Sequence, residues 1–127
     1  MKIEHLAFNV PDPLNMARWY VEHLGLTVKR RAMDAPWAHF LADDSGTVMI
    51  EIYGNHTAPA LNLPEVAPPA LHLAFVSKDV AADVKRLTAA GATIVADVHL
   101  MGPDTFAMLR DPWGVPLQLV KRQVPMI

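Results

Sequence analysis

Two imidazoles and two oxygen donors recur in this chain at one spacing, and that recurrence is where its chemistry is expected. His5-Leu6-Ala7-Phe8 returns as His72-Leu73-Ala74-Phe75, an offset of 67 residues (5 to 72), and the same offset carries Glu51 onto Gln118. Each half thus holds a histidine and, 46 residues later (5 to 51, 72 to 118), a side chain with an oxygen to donate. Two such pairs brought face to face would give an ion two nitrogen and two oxygen ligands. Imidazole, carboxylate and amide oxygen together suit Zn, Ni, Co, Mn or Fe. The chain has no cysteine, which removes thiolate sites, disulfides and a cysteine nucleophile. A single histidine on a strand is ordinarily a surface or hydrogen-bonded residue, and a lone Glu ordinarily faces solvent. Repetition at one spacing lifts these four above that ordinary case.

To share a surface, the donors need strands to carry them, because alternation decides which side chains face the same way. Residues 3–10 alternate, with Leu6, Phe8 and Val10 on one side and His5, Ala7 and Asn9 on the other. Pro11-Asp12-Pro13 stops that strand and starts a helix, Asp12 as N-cap and Pro13 in the first turn. Met16, Ala17, Tyr20 and Leu24 form its apolar face, and Gly25 ends it. Strands are expected at 26–31, 37–42 and 47–53, with Asp43-Asp44-Ser45-Gly46 as the clearest turn. In the last of these strands Ile50 and Ile52 share one face, Met49, Glu51 and Tyr53 the other.

The order βαβββ then repeats. Strands are expected at 71–76, 93–98, 105–110 and 115–121 and a helix at 80–90, with Asp79 the counterpart of Asp12 and Asp111 that of Asp44. Leu117 and Leu119 match Ile50 and Ile52, so Gln118 takes the place of Glu51. Agreement of tetrapeptide, cap, turn and element order makes duplication the economical account. The expected fold is α+β: two tandem βαβββ modules whose curved mixed sheets surround a metal-binding cavity. We take 1–127 as a single domain, with module 1 at 1–53, a Pro-rich linker at 54–70, module 2 at 71–121 and a tail at 122–127. Prolines 59, 64, 68 and 69 make the linker stiff.

Composition narrows the partners. At 127 residues, 52% hydrophobic and 19% charged, the chain can bury a core of its own. A net charge of −2 and no basic cluster argue against nucleic acid. Glu4 and His5 interrupt any apolar leader, and no apolar run is long enough for a membrane span, so a cytoplasmic location is expected.

With these residues in hand, the chain resembles the vicinal oxygen chelate superfamily, which includes glyoxalase I, bleomycin-resistance proteins and extradiol dioxygenases. The resemblance covers nearly the whole chain. It rests on His5 in the first strand, Trp19 to Leu26 closing the first helix, Val48 to Ile52 around Glu51, His72, and Arg110-Asp111-Pro112-Trp113-Gly114 before the last strand. That turn is a variant of the family's Asp-Pro-Asp-Gly, with Trp113 replacing the second Asp. The resemblance implies one divalent metal held by His5, Glu51, His72 and Gln118. It implies a small-molecule substrate and a homodimer, and lyase or isomerase chemistry of the glyoxalase type, in which the metal stabilises an enediolate formed from a small carbonyl or hemithioacetal. Bacterial glyoxalase I usually has Glu at the fourth position; Gln118 cannot take up a proton, which leaves Glu51 as the candidate catalytic base. The alternatives are a bleomycin-resistance-like protein that sequesters its ligand without catalysis, and an epimerase or dioxygenase of the same superfamily. Trp37, His39, Tyr53, Phe106 and Trp113 are weaker candidates for the pocket, aromatic residues serving more often in plain packing.

Overall fold

The computed structural model describes residues 1–126, which form two compact units, one ending at Leu61 and the other beginning at Asn62. The first unit contains β1 (His5–Asn9), α1 (Pro13–Leu24), β2 (Thr27–Arg31), β3 (His39–Ala42) and β4 (Met49–Tyr53). Its mixed sheet has the order β1-β4-β3-β2, with β1 and β4 parallel and the other pairs antiparallel. The Asp12 carboxylate caps α1 by accepting the Asn15 amide, and Gly25, at φ 73°, closes the helix with its N–H on the Tyr20 carbonyl. A left-handed backbone there is what glycine supplies without a Cβ clash. Helix α1 lies over β3 and β4. Met16, Ala17 and Tyr20 from the helix, and Phe8, Leu41 and Ile52 from the strands, are buried. Each large side chain of this kind contributes about 1.5–3 kcal/mol by leaving water.

The second unit repeats the design with β5 (Leu73–Val76), α2 (Val80–Ala89), β6 (Thr93–Met101), β7 (Asp104–Arg110) and β8 (Pro116–Lys121), in the order β5-β8-β7-β6. Asp79 caps α2 through the Ala82 amide. Val80, Val84 and Leu87 are buried on the helix side, and Leu109, Leu117 and Leu119 on the sheet. The two sheets share more than their order. Leu6 pairs with Ile50 in the first and Leu73 with Leu117 in the second, so pairing registers coincide under the offset of 67.

Three details differ from the sequence expectations. Strand β6 runs on to Met101 instead of stopping at 98, accommodated by two register shifts against β7. The turn before β4 is built on Asp43, not Asp44: the Asp43 carboxylate accepts the Ser45 amide, and its carbonyl accepts that of Gly46. Asp111 makes the same pair of contacts with Trp113 and Gly114. Asp43 is therefore the structural counterpart of Asp111, and the first turn is one residue longer. The Pro-rich stretch, finally, has structure of its own. Leu63–Glu65 forms a 3-10 turn with Leu63 buried, and the Arg110 guanidinium donates to the carbonyls of Leu63, Val66 and Gly114. No helix of the described residues is long and apolar enough to cross a membrane.

Candidate functional site

In the first unit, His5 and Glu51 meet. Because β1 and β4 are parallel, His5 stands opposite Met49 and Glu51 opposite Ala7, so the two are diagonal neighbours on one face, not a directly opposed pair. His5 Nε2 lies 3.5 Å from Glu51 Oε2. Two ligands each about 2.1 Å from one ion and separated by a tetrahedral angle stand about 3.4 Å apart, so the spacing fits a shared cation. The other ring nitrogen, Nδ1, is 2.6 Å from Glu4 Oε2. A carboxylate behind the ring holds the proton on Nδ1 and turns the Nε2 lone pair outward, the arrangement that makes histidine a good metal ligand. Phe40, which pairs with Glu51 across β3 and β4, packs edge-on against the His5 ring at 5.4 Å. Glu51 is shielded, its side chain 19% exposed.

The second unit holds the other pair on equivalent positions. Gln118 lies between Ala74 on β5 and Met108 on β7, half-buried. His72 immediately precedes β5, and its Nδ1 donates to the Pro68 carbonyl at 2.8 Å. It is thus oriented as His5 is, with Nε2 left over, although a carbonyl from the Pro-rich stretch replaces the Glu4 carboxylate. Among the described residues no group of three or more His, Cys, Asp or Glu side chains is gathered as for an ion. Each unit carries one histidine and one oxygen donor at equivalent positions.

The weaker candidates divide. Tyr53 is half-buried at the end of β4 on the Glu51 face, opposite Asn9. Phe106 lies on the Gln118 face of β7, buried, with the His99 ring stacked at 6.2 Å and the Arg122 guanidinium 5.6 Å from its centre. Trp113 sits in the turn ahead of β8, its amide on Asp111. Trp37 precedes β3 with φ 58°, and its carbonyl accepts His39 Nδ1 at 2.6 Å. His39, one of the weaker candidates for the pocket, lies on the other face from Glu51. It pairs with Ile52, and strand alternation puts Ile52 and Glu51 on opposite faces. His39 is therefore on the α1 side of the sheet.

Two contributors escape a reading by repetition. Glu4 has Leu71 at the corresponding position, so no offset finds it; its adjacency to His5 was the only signal. The Pro68 carbonyl is backbone and leaves no residue-type signature. On α2, outside both pairs, the Asp83 carboxyl has a displaced pKa. Burial pushes Asp83 up, but hydrogen bonds from Ser77 and Arg86 and the charge of Arg86 outweigh it and hold the group below the ordinary carboxylate value.

Known proteins agree with this architecture. The fold matches the crystal structure of SMU.1112c with a TM-score of 0.73 and 29% identity, over 95% of this chain and 98% of that one. It matches TnmS3, an antibiotic-binding protein from Streptomyces sp. CB03234, with a TM-score of 0.73 and 19% identity, over 97% of both chains. The E144Q mutant of glyoxalase I from Zea mays gives 0.76 and 21%, over 95% of this chain but 45% of the longer maize chain. No functionally curated protein matches in sequence. The family model for the Glyoxalase/Bleomycin resistance protein/Dioxygenase superfamily matches residues 2–119, nearly the whole chain, so the protein belongs to that superfamily.

Proposed function

We infer that this is a metal-dependent enzyme of the glyoxalase type, acting on a small carbonyl or hemithioacetal, with His5, Glu51, His72 and Gln118 as ligands. The supporting observation is the His5–Glu51 pair, with 3.5 Å between the facing atoms and the far side of the ring held by Glu4. A bound divalent ion would supply Lewis-acid stabilisation to a substrate oxygen on which negative charge develops. The protein's own part is proton movement and shielding. Of the two oxygen donors only Glu51 can carry a proton, so Glu51 takes it from the carbon beside the substrate carbonyl and returns it one atom away. Phe40 lines the same face and limits water around the carboxylate. Gln118 binds without titrating.

The experiment is metal analysis of gently purified protein, joined to a screen of hemithioacetals, acyl-CoA epimers and catechols. The expected result is one transition metal per chain, lost on substituting either His5 or His72 with Ala. Glu51→Gln should fold normally and lose turnover by a factor of 10³ or so, a general base contributing on the order of 10²–10⁴. Full activity in that variant removes Glu51 from the mechanism. A second reading has its own support: the likeness in fold to an antibiotic-binding protein, and the aromatic rings, Phe40 and Phe106, on the donor-bearing faces. On that reading the protein sequesters a ligand without turning it over, and neither bound metal nor rescue by added metal is expected.

A further inference from the structure

We propose that the first unit carries a second ligand site on the opposite face of its sheet, for a small monoanionic carboxylate with an apolar tail. A cavity of about 340 Å³ opens there between α1, β2 and β3, within the range of roughly 300–1,000 Å³ usual for small-molecule sites. Its apolar wall is left bare to solvent: Leu14 and Val21 from α1 and Val28 from β2 are 46%, 37% and 41% exposed.

The polar groups at its end are placed by a backbone irregularity. Val28 pairs with Leu41 and Arg30 with Phe40, so Lys29 is an extra, bulged residue. In a regular strand Val28 and Arg31 would point to opposite faces. The bulge restores Arg31 to the Val28 side, opposite His39, and re-aiming a side chain is what such bulges do near sites. Arg18 reaches the same cavity from α1. Neither guanidinium has a carboxylate within 4.0 Å among the described residues. His39 is 9% exposed, and with Nδ1 committed to the Trp37 carbonyl, Nε2 is the atom left to meet a ligand.

Two arginines without a carboxylate partner among the described residues and a buried imidazole line one cavity beside an apolar wall. Glu22 is the one acid on the lining, so Arg18, Arg31 and Glu22 leave a single positive charge, which selects a monoanion. Guanidinium groups bind carboxylates by paired N–H donors, and the valine and leucine surface takes the tail.

Calorimetric titration of the full chain with octanoate, below its micellar concentration, tests the site, with 1-octanol and octyl phosphate as the comparison probes. Octanoate should bind, with Leu14, Val21 and Val28 methyl resonances shifting and those of Met49 and Met108 still. Arg31→Gln should weaken binding at least tenfold, with Arg18→Gln as the substitute if that variant melts early. Equal binding of octanol, unchanged affinity in a folded arginine variant, or shifts at the methionines would overturn the proposal. Octyl phosphate binding tighter than octanoate would overturn the monoanion assignment.

Discussion

At the scale of single residues, the decisive contrast is between the two imidazoles that flank the donors. Both are oriented through Nδ1, but His5 is held by the Glu4 carboxylate and His72 by the Pro68 carbonyl. A carboxylate behind a ligating histidine raises its basicity, and losing such a partner ordinarily costs about 10–100-fold in metal affinity. Glu4→Ala should therefore weaken metal binding by that order while leaving the thermal midpoint nearly unchanged, since Glu4 is exposed. Competition against a chromogenic chelator measures it. The equivalence of His5 with His72 and of Glu51 with Gln118 was legible because repetition marks residue types at fixed spacing. Glu4 and Pro68 were not, since the halves solve the same orienting problem with unrelated groups. For His39 the position in a strand was legible, but not its face. Only the register with Ile52 shows which side it takes.

Among the elements, the helices were the most legible: α1 spans the residues expected, because Asp12, Pro13 and Gly25 mark both ends in chemical terms. The turn Asp111 to Val115 shows what a motif cannot say by itself. The buried Asp111 carboxylate accepts the Trp113 and Val115 amides, and Gly114 turns at φ 93°. A Cβ on Gly114 would lie 2.6 Å from the Pro64 nitrogen, so conformation and space both exclude a side chain. Gly114→Ala should cost about 3 kcal/mol or more, the sum of backbone strain and overpacking, read from denaturant melts. Helix α2 carries a pH signature. Asp83 titrates below its ordinary value when folded, so it binds fewer protons folded than unfolded and stabilises the fold above the unfolded carboxylate pKa. That contribution fades as pH falls through the lowered folded value. The melting difference between wild type and Asp83→Asn should be largest near neutrality and shrink below about pH 4, the ordinary carboxylate range. A constant difference from pH 7 to pH 2.5 would refute the linkage.

For the molecule as a whole, the βαβββ duplication was readable since strand period, caps and turns all repeat, and the coincidence of registers is its strongest physical expression. Parallel pairing of β1 with β4 and of β5 with β8 was out of reach of the pattern, because alternation fixes faces and not strand direction. The same holds for the run from 93 to 101, whose bulges break the period that sequence inspection relies on. That strand has a further consequence. It is the outermost of its sheet, nine residues long, with Ile94, Val95, Leu100 and Met101 bare, and Asp97 is the one acidic residue along it, its carboxylate accepting the Val98 amide at a register shift. An apolar border without charge or irregularity is a template on which further chains stack into fibrils. Asp97→Val should raise light scattering and thioflavin fluorescence on concentration while the far-UV spectrum of the fresh protein stays the same. On this account, a lone carboxylate and a kinked backbone are the features of β6 that oppose such stacking.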